Sequence, residues 1–237
     1  MKVIKNVVYV IFALSVFLVT LISSIEIAAY SDYGFYEKEY DKCNVLKDVN
    51  MQMDDVIFVT KEMMSYLRGN RKDLVVNTVI GGEEKEFFND REKSHMADCR
   101  VLFVAAIWLR RFCIVLIALT KAVMCAINHN KISAAIAALF NKLWKNLIII
   151  FAMIAGLVLV ISIDFDKAFT TFHEIFFDND LWLLDPNTDN LICILPQTFF
   201  IDICIRIGII FAILMFFIFA IAFIVERVII KRLIRNN

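Results

Sequence analysis

Three stretches of this chain carry no charged side chain: residues 6–25, 146–163 and 207–225. Each approaches the roughly 20 residues that an α-helix needs to cross the hydrocarbon core of a bilayer. A fourth apolar stretch, about 101–127, is interrupted by Arg110, Arg111 and Lys121, so it is the span that needs a special explanation. Composition agrees. Apolar residues make up 60% of the chain, with 22 phenylalanines and a mean hydropathy of +0.71, whereas ordinary soluble domains run at about 45–50% apolar. The sequence is that of an integral membrane protein. Its 25 basic and 25 acidic side chains cancel, which gives no support for a nucleic-acid partner, and they are strongly segregated along the chain.

The segregation orients the spans. Lys2 and Lys5 precede the first, Lys131, Lys142 and Lys145 lie between the second and third, and Arg227, Lys231, Arg232 and Arg235 follow the fourth. By the positive-inside rule both termini are expected in the cytoplasm. The expected organisation is a first transmembrane helix over 1–29, an extracytoplasmic subdomain over 30–98, a second helix over 99–127, a cytoplasmic loop over 128–145, a third helix over 146–163, an extracytoplasmic interfacial segment over 164–205, and a fourth helix with a cytoplasmic tail over 206–237. The fold class is therefore an α-helical membrane protein of four transmembrane helices, with a small α+β extracytoplasmic subdomain between the first and second. The first apolar run is longer than the roughly 7–15 residues of a secretory signal core, so it reads as a retained anchor.

Within 30–98, Val56, Val59, Met63 and Leu67 recur at helical spacing, with Gly69 and Asn70 as a stop. "LVVNTVIGGEEKEFF" then reads as a hairpin turning at Gly81-Gly82. A subdomain of this size is expected to lack a deep core and to rest on the membrane surface or the helix ends. No CxxC and no Cys/His zinc spacing occurs among the six cysteines, so no metal is expected.

The chemistry-bearing residues sit at the edges of the spans. Asn89 followed by Glu92 has capping-box spacing, so a helix is expected to start near Asp90 and run into the second span. Unbroken to residue 127, that helix would measure roughly 57 Å, longer than a bilayer. It places Glu92, His95, Asp98 and Cys99 along one face. A carboxylate one turn from an imidazole suits a general base, and it also occurs on many solvated helices. Arg110 and Arg111 either snorkel to lipid phosphates or form the cationic wall of a cavity. The segment 164–202 alternates bulky aromatics with acids around His173, Glu174 and Trp182, as a segment lying in the membrane interface would. His129, in "INHNK", reads as solvated. GxSxG, HExxH and Walker motifs are absent. "HEIFFD" has the His-x4-Asp spacing of glycerolipid acyltransferases, with no second motif of that family.

"EKSHMAD" at 92–98, "FHEIFFDNDLWLLDP" at 172–186 and "YL.G" at 66–69 together resemble the bacterial lipoprotein intramolecular transacylases, a family of integral membrane proteins. The resemblance covers nearly the whole chain. Cys99-Arg100 departs from it, since the family commonly has Val-Lys there. The resemblance implies transfer of the sn-2 acyl chain of an S-diacylglyceryl-cysteine to the α-amino group of the same cysteine, on the extracytoplasmic face of a bacterial cell membrane. It implies His95 and His173 as the catalytic pair; the positions of the residues themselves add Glu92, Glu174 and Arg110 as supporting candidates. The implied partners are a diacylated lipoprotein N-terminus and membrane lipid. Because ester to amide runs downhill and both groups belong to one molecule, no cofactor is expected and proximity supplies much of the rate. The alternatives are a non-enzymatic lipid- or partner-binding membrane protein, and a histidine-dependent acyltransferase or hydrolase of another lipid. The transacylase reading requires both histidines to face one cavity. Phe172, Phe176 and Phe177 are expected at its lateral opening, and Glu92 or Glu174 is expected to orient an imidazole.

Overall fold

A computed structural model describes residues 2–235. Met1, Asn236 and Asn237, at the ends of the first and last expected segments, lie outside the described residues, as do the side chains at 2, 130, 157, 160–162, 233 and 234. The elements in chain order are α1 (Lys2–Tyr30), α2 (Gly34–Lys42), α3 (Val45–Asp48), α4 (Met53–Leu67), β1 (Asn77–Ile80), β2 (Glu83–Glu86), α5 (Asp90–Ile127), α6 (Ile132–Ile163), α7 (Phe165–Phe176), α8 (Asn190–Ile194) and α9 (Gln197–Arg235). Among the described residues, four helices are long and apolar enough to cross a membrane: α1, α5, α6 and α9. The expected loop over 128–145 is mostly helical. After a single 3-10 turn at His129–Lys131, α6 begins at Ile132, because "ISAAIAALFNKLWK" is built from strong helix formers. Of the lysines that marked the loop, Lys142 and Lys145 sit on α6 and Lys131 ends the 3-10 turn.

The chain divides into two compact units. The first comprises Met1–Ile25, Trp108–Ile163 and Gly208–Asn237. Its core draws one face from each long helix: Phe12, Ala13 and Phe17 of α1, Met124 of α5, Leu139, Leu143 and Leu147 of α6, and Phe211, Met215 and Ala222 of α9. Phe17 meets Phe211 edge-on at 5.7 Å, the geometry that ring quadrupoles favour. Outward faces stay apolar, with Phe112, Ile149 and Phe216 all more than half exposed, as lipid contact permits. One carboxylate is buried here. Glu226 accepts hydrogen bonds from Asn141 Nδ2 at 2.6 Å and Trp144 Nε1 at 2.9 Å, tying α9 to α6.

The second unit comprises Glu26–Ile107 and Asp164–Ile207. The hairpin is where its spacing predicts: Asn77 pairs with Glu86 and Ile80 with Glu83. Gly81 and Gly82 turn at φ +62° and +85°, values that L side chains rarely adopt. On α4 the expected stripe of Val56, Val59, Met63 and Leu67 is buried. The shallow core anticipated for this region is not what forms. Tyr36, Tyr40, Val56, Met63, Phe87, Phe88 and Met96 are enclosed, and the later segment contributes Leu191, Ile194 and Phe199 to the same cluster. A 69-residue piece that cannot bury its own apolar faces is completed by chain arriving about a hundred residues later. Tyr40 and Thr60 share a buried hydrogen bond of 2.6 Å, and Tyr36 Oη donates to the Ala29 carbonyl at 2.9 Å, so the ring hydroxyls enter the core paired.

Candidate active site

The site is assembled from the first turns of α5 and the segment 165–191, all within the second unit. The α5 start is a reciprocal capping box: Glu92 N donates to Asn89 Oδ1 at 3.0 Å, and Asn89 N donates to Glu92 Oε2 at 2.7 Å. The α7 start is capped by Asp164, whose carboxylate accepts from Lys167 N at 3.0 Å. These caps fix where each helix begins, and hence which side chains turn inward.

His95 and His173 turn toward one another. Their ring centroids are 6.0 Å apart, inclined at 33°, and each residue is only 7% exposed. Phe177 sets its ring edge-on to His95 at 5.2 Å and lies 5.5 Å from His173. Phe172 and Phe176, expected at an opening, meet in a tilted pair at 4.7 Å and are about half exposed, with Phe172 also 5.4 Å from His173.

The two imidazoles have different polar contacts. His173 Nδ1 lies 2.8 Å from the carbonyl oxygen of Phe169. A carbonyl only accepts, so Nδ1 carries a proton and the lone pair of the neutral ring sits on Nε2. His95 Nε2 lies 3.5 Å from Cys99 Sγ, while its Nδ1 is buried without a protein partner. A thiol with a reference pKa near 8.5 is protonated at neutral pH and donates to Nε2, which leaves the His95 proton on Nδ1. Burial pushes the His95 imidazole down to about 4, helped by the nearby His173 and by Arg91 and opposed by Asp98. Burial also lowers His173, against the Phe169 carbonyl, which favours the charged ring. Both rings are therefore neutral near pH 7.

Glu92 does not orient an imidazole. Besides the capping bond, its Oε1 accepts from Leu191 N at 2.5 Å, so this fully buried carboxylate caps the start of α8. Burial pushes its pKa up, and the N–H groups of Leu191 and Asn89 hold it down. More bonds run the same way. Asn89 Nδ2 donates to Asp189 Oδ1 at 2.7 Å, Asn190 Nδ2 to the Phe87 carbonyl at 2.8 Å, Asn179 Nδ2 to Asp98 Oδ2 at 2.9 Å, and Arg91 to the Asp180 carbonyl. Residues 177–191 thus form a strap pinned along the first turns of α5. Glu174 is exposed. It follows His173 directly, and a one-residue step turns a helical side chain about 100° away. Arg110 is half-buried and belongs to the first unit, so the structure gives no ground for grouping it with the histidines. Its neighbour Arg111 lies over the Trp108 ring at 4.7 Å. Sequence reasoning did not single out the Phe169 carbonyl, the polar strap or the role of Trp182, which stacks on His173 at 4.8 Å. The available signals were the one-turn step back from His173 and a tryptophan isolated among acids.

Comparison with known proteins places the chain in a family. The family described as "Lipoprotein intramolecular transacylase Lit" matches residues 10–200. None of the curated proteins matches the chain significantly. A solved structure of the membrane integral lipoprotein intramolecular transacylase Lit from Bacillus cereus has a TM-score of 0.70 at 19% identity and covers 98% of each chain. A histidine-to-arginine variant of that protein gives 0.70 at 17% identity, covering 100% of this chain and 96% of that one. A histidine-to-alanine variant gives 0.67 at 18%, covering 98% and 96%. At such identities the structures speak for the fold, a four-span membrane architecture, while the family match spans most of the 237 residues. The chain belongs to the lipoprotein intramolecular transacylase family, and is a multi-pass bacterial membrane enzyme acting on lipoproteins.

Proposed function

We propose that the enzyme moves the sn-2 acyl chain of an S-diacylglyceryl-cysteine onto the α-amino group of the same cysteine, at the extracytoplasmic side of the membrane, with both termini in the cytoplasm. His173 is the base. Its Nε2 takes a proton from the amine as nitrogen attacks the ester carbonyl. The N–C bond forms, the C–O bond to glycerol breaks, and the same proton passes to the departing glycerol oxygen. His95 is the electrophile, with its Nδ1–H meeting the developing oxyanion. An amine with reference pKa near 7.7–8.0 is mostly protonated at neutral pH, so the reacting fraction is the free amine that has released its ammonium proton to solvent. The imidazole takes the one further proton that the nitrogen must lose as the amide forms. No nucleophile on the enzyme is required, because donor and acceptor arrive in one molecule.

The observation that carries this reading is the pair of facing, buried, neutral imidazoles with opposite free atoms: an acceptor on His173 and a donor on His95. A buried donor left unpaired costs about 1–3 kcal/mol, and a substrate oxygen at that place would recover it. Glu92 acts here as a positioning residue, holding the strap that carries the aromatic residues around His173. The test is mass spectrometry of lipoprotein N-termini in cells expressing the wild type, His95→Ala or His173→Ala. The wild type should yield N-acylated, lyso-form cysteine and the variants unmodified diacylglyceryl-cysteine. N-termini that do not differ between cells with and without the wild-type protein refute the reading.

A further inference from the structure

His173 sits in a box of four aromatic rings. Phe169 lies 4.2 Å from it, Trp182 4.8 Å, Phe172 5.4 Å and Phe177 5.5 Å. Trp182 is the most nearly parallel, at 30°, so its face covers the imidazole face, whereas Phe172 stands at 83°. Trp182 is on no helix. Its place depends on the turn at 179–184, where Leu181 N donates to Asn179 Oδ1 at 3.0 Å and Leu183 N to the Asp180 carbonyl at 3.0 Å. Asp98 and Arg91 of α5 hold that turn.

We propose that Trp182 is a positioning residue for the transfer, and that its indole face, with the rings of Phe169, Phe172 and Phe177, stabilises the imidazolium formed when His173 takes the amine proton. This rests on the reading of His173 as the base. The face of an aromatic ring is electronegative, and a cation within about 6 Å of the centroid is attracted to it, most strongly by tryptophan. The charge arriving on His173 has little else to meet it. Among the described residues, its one polar contact is the Phe169 carbonyl. The titratable group facing it across the site is His95, 6.0 Å away on α5, whose own protonation would repel it. Asp98 and Arg91, also on α5, act on His95, and Glu174 on α7 is exposed. His173 is only 7% exposed, so the box stands in for hydration at the moment a charge appears.

The experiment uses full-length enzyme, isotopically labelled at histidine, with Trp182→Phe and Trp182→Leu. Nuclear magnetic resonance titration of His173 reads the effect without turnover, and a synthetic diacylated lipopeptide gives kcat and KM. In Trp182→Leu, His173 should titrate about one pH unit lower, with kcat about threefold to tenfold lower and KM little changed. Trp182→Phe should retain most of both properties. An unmoved His173 titration in Trp182→Leu overturns the proposal, as does an equal loss in the two variants, which would indicate a purely structural role. Failure of the underlying reading looks different: a His173→Gln enzyme that retains full activity removes the base, whatever the titration shows.

Discussion

The Nδ1 proton of His173 is donated to the main-chain carbonyl of Phe169 across 2.8 Å, one turn back along α7. Because the acceptor belongs to the backbone, no side-chain change at 169 removes it, and the basic nitrogen stays directed away from the helix. Replacing His173 with Gln keeps a polar side chain without a base, and should lower kcat by about 10²–10⁴, the usual worth of general-base catalysis. Product formation on a diacylated lipopeptide measures it. A loss smaller than about tenfold would contradict the assignment.

The pH dependence has a definite sign. Burial lowers both imidazoles, His95 to about 4, so neither protonates near the ordinary histidine value of about 6.5. Going down in pH, kcat/KM should first fall tenfold per unit, as the substrate amine gains its proton. Only below about 6.5 should the slope steepen as His173 is also charged. A slope already approaching two at about pH 6 would show a histidine of ordinary basicity. The same shifts bear on stability: a depressed histidine contributes above its unfolded pKa and loses that contribution as pH falls toward the folded value.

Glu92 joins α5 to α8 through the amide of Leu191 while capping α5 through the amide of Asn89. Glu92→Ala leaves the buried N–H of Leu191 unpaired, at about 1–3 kcal/mol, and removes the acceptor of the part-buried Asn89 N–H. Thermal unfolding in detergent should occur at lower temperature, and amide exchange at Leu191 should quicken. Glu92→Gln retains one acceptor and should lose less. Unchanged exchange at Leu191 would rule out the capping role.

Glu226 provides the corresponding test in the other unit. Glu226→Leu strands the donors of Asn141 and Trp144 and should destabilise the protein by about 1–3 kcal/mol for each donor, with no change in the pH profile of turnover. Thermal unfolding and a pH series on the same variant separate the two effects.

Topology is tested by labelling. With 30–98 outside, a membrane-impermeant maleimide should react with Glu83→Cys on the exposed hairpin in intact cells. Reaction that requires permeabilised cells would invert the orientation.

The spans, the hairpin, the α4 stripe and the α5 capping box were all legible in the sequence, because each is a local pattern read over a few turns: Asn89 and Glu92 are three residues apart, and Gly81-Gly82 marks its own turn. What was not legible depends on residues far apart in the chain. Glu92 reads as a neighbour of His95 by spacing, yet its carboxylate is taken by the amide of Leu191, 99 positions away. The core of the second unit was underestimated for the same reason, since Ile194 and Phe199 complete it. Arg110 could be placed on a helix by periodicity, but no periodicity assigns it to a site.

α5 runs unbroken through Asp90–Ile127, and its apolar stretch begins about Val101. Val101 lies six positions along the helix from His95, a rise of roughly 9 Å at 1.5 Å per residue. On the role proposed for His95, its imidazole is thus held at a set stand-off along the helix, and an ester lying at the edge of the hydrocarbon must be lifted by that amount before it can react. Bilayer thickness then becomes a variable of catalysis. A thicker membrane shortens the lift and a thinner one lengthens it, so turnover should vary with acyl-chain length in the surrounding lipid even when the substrate is the same.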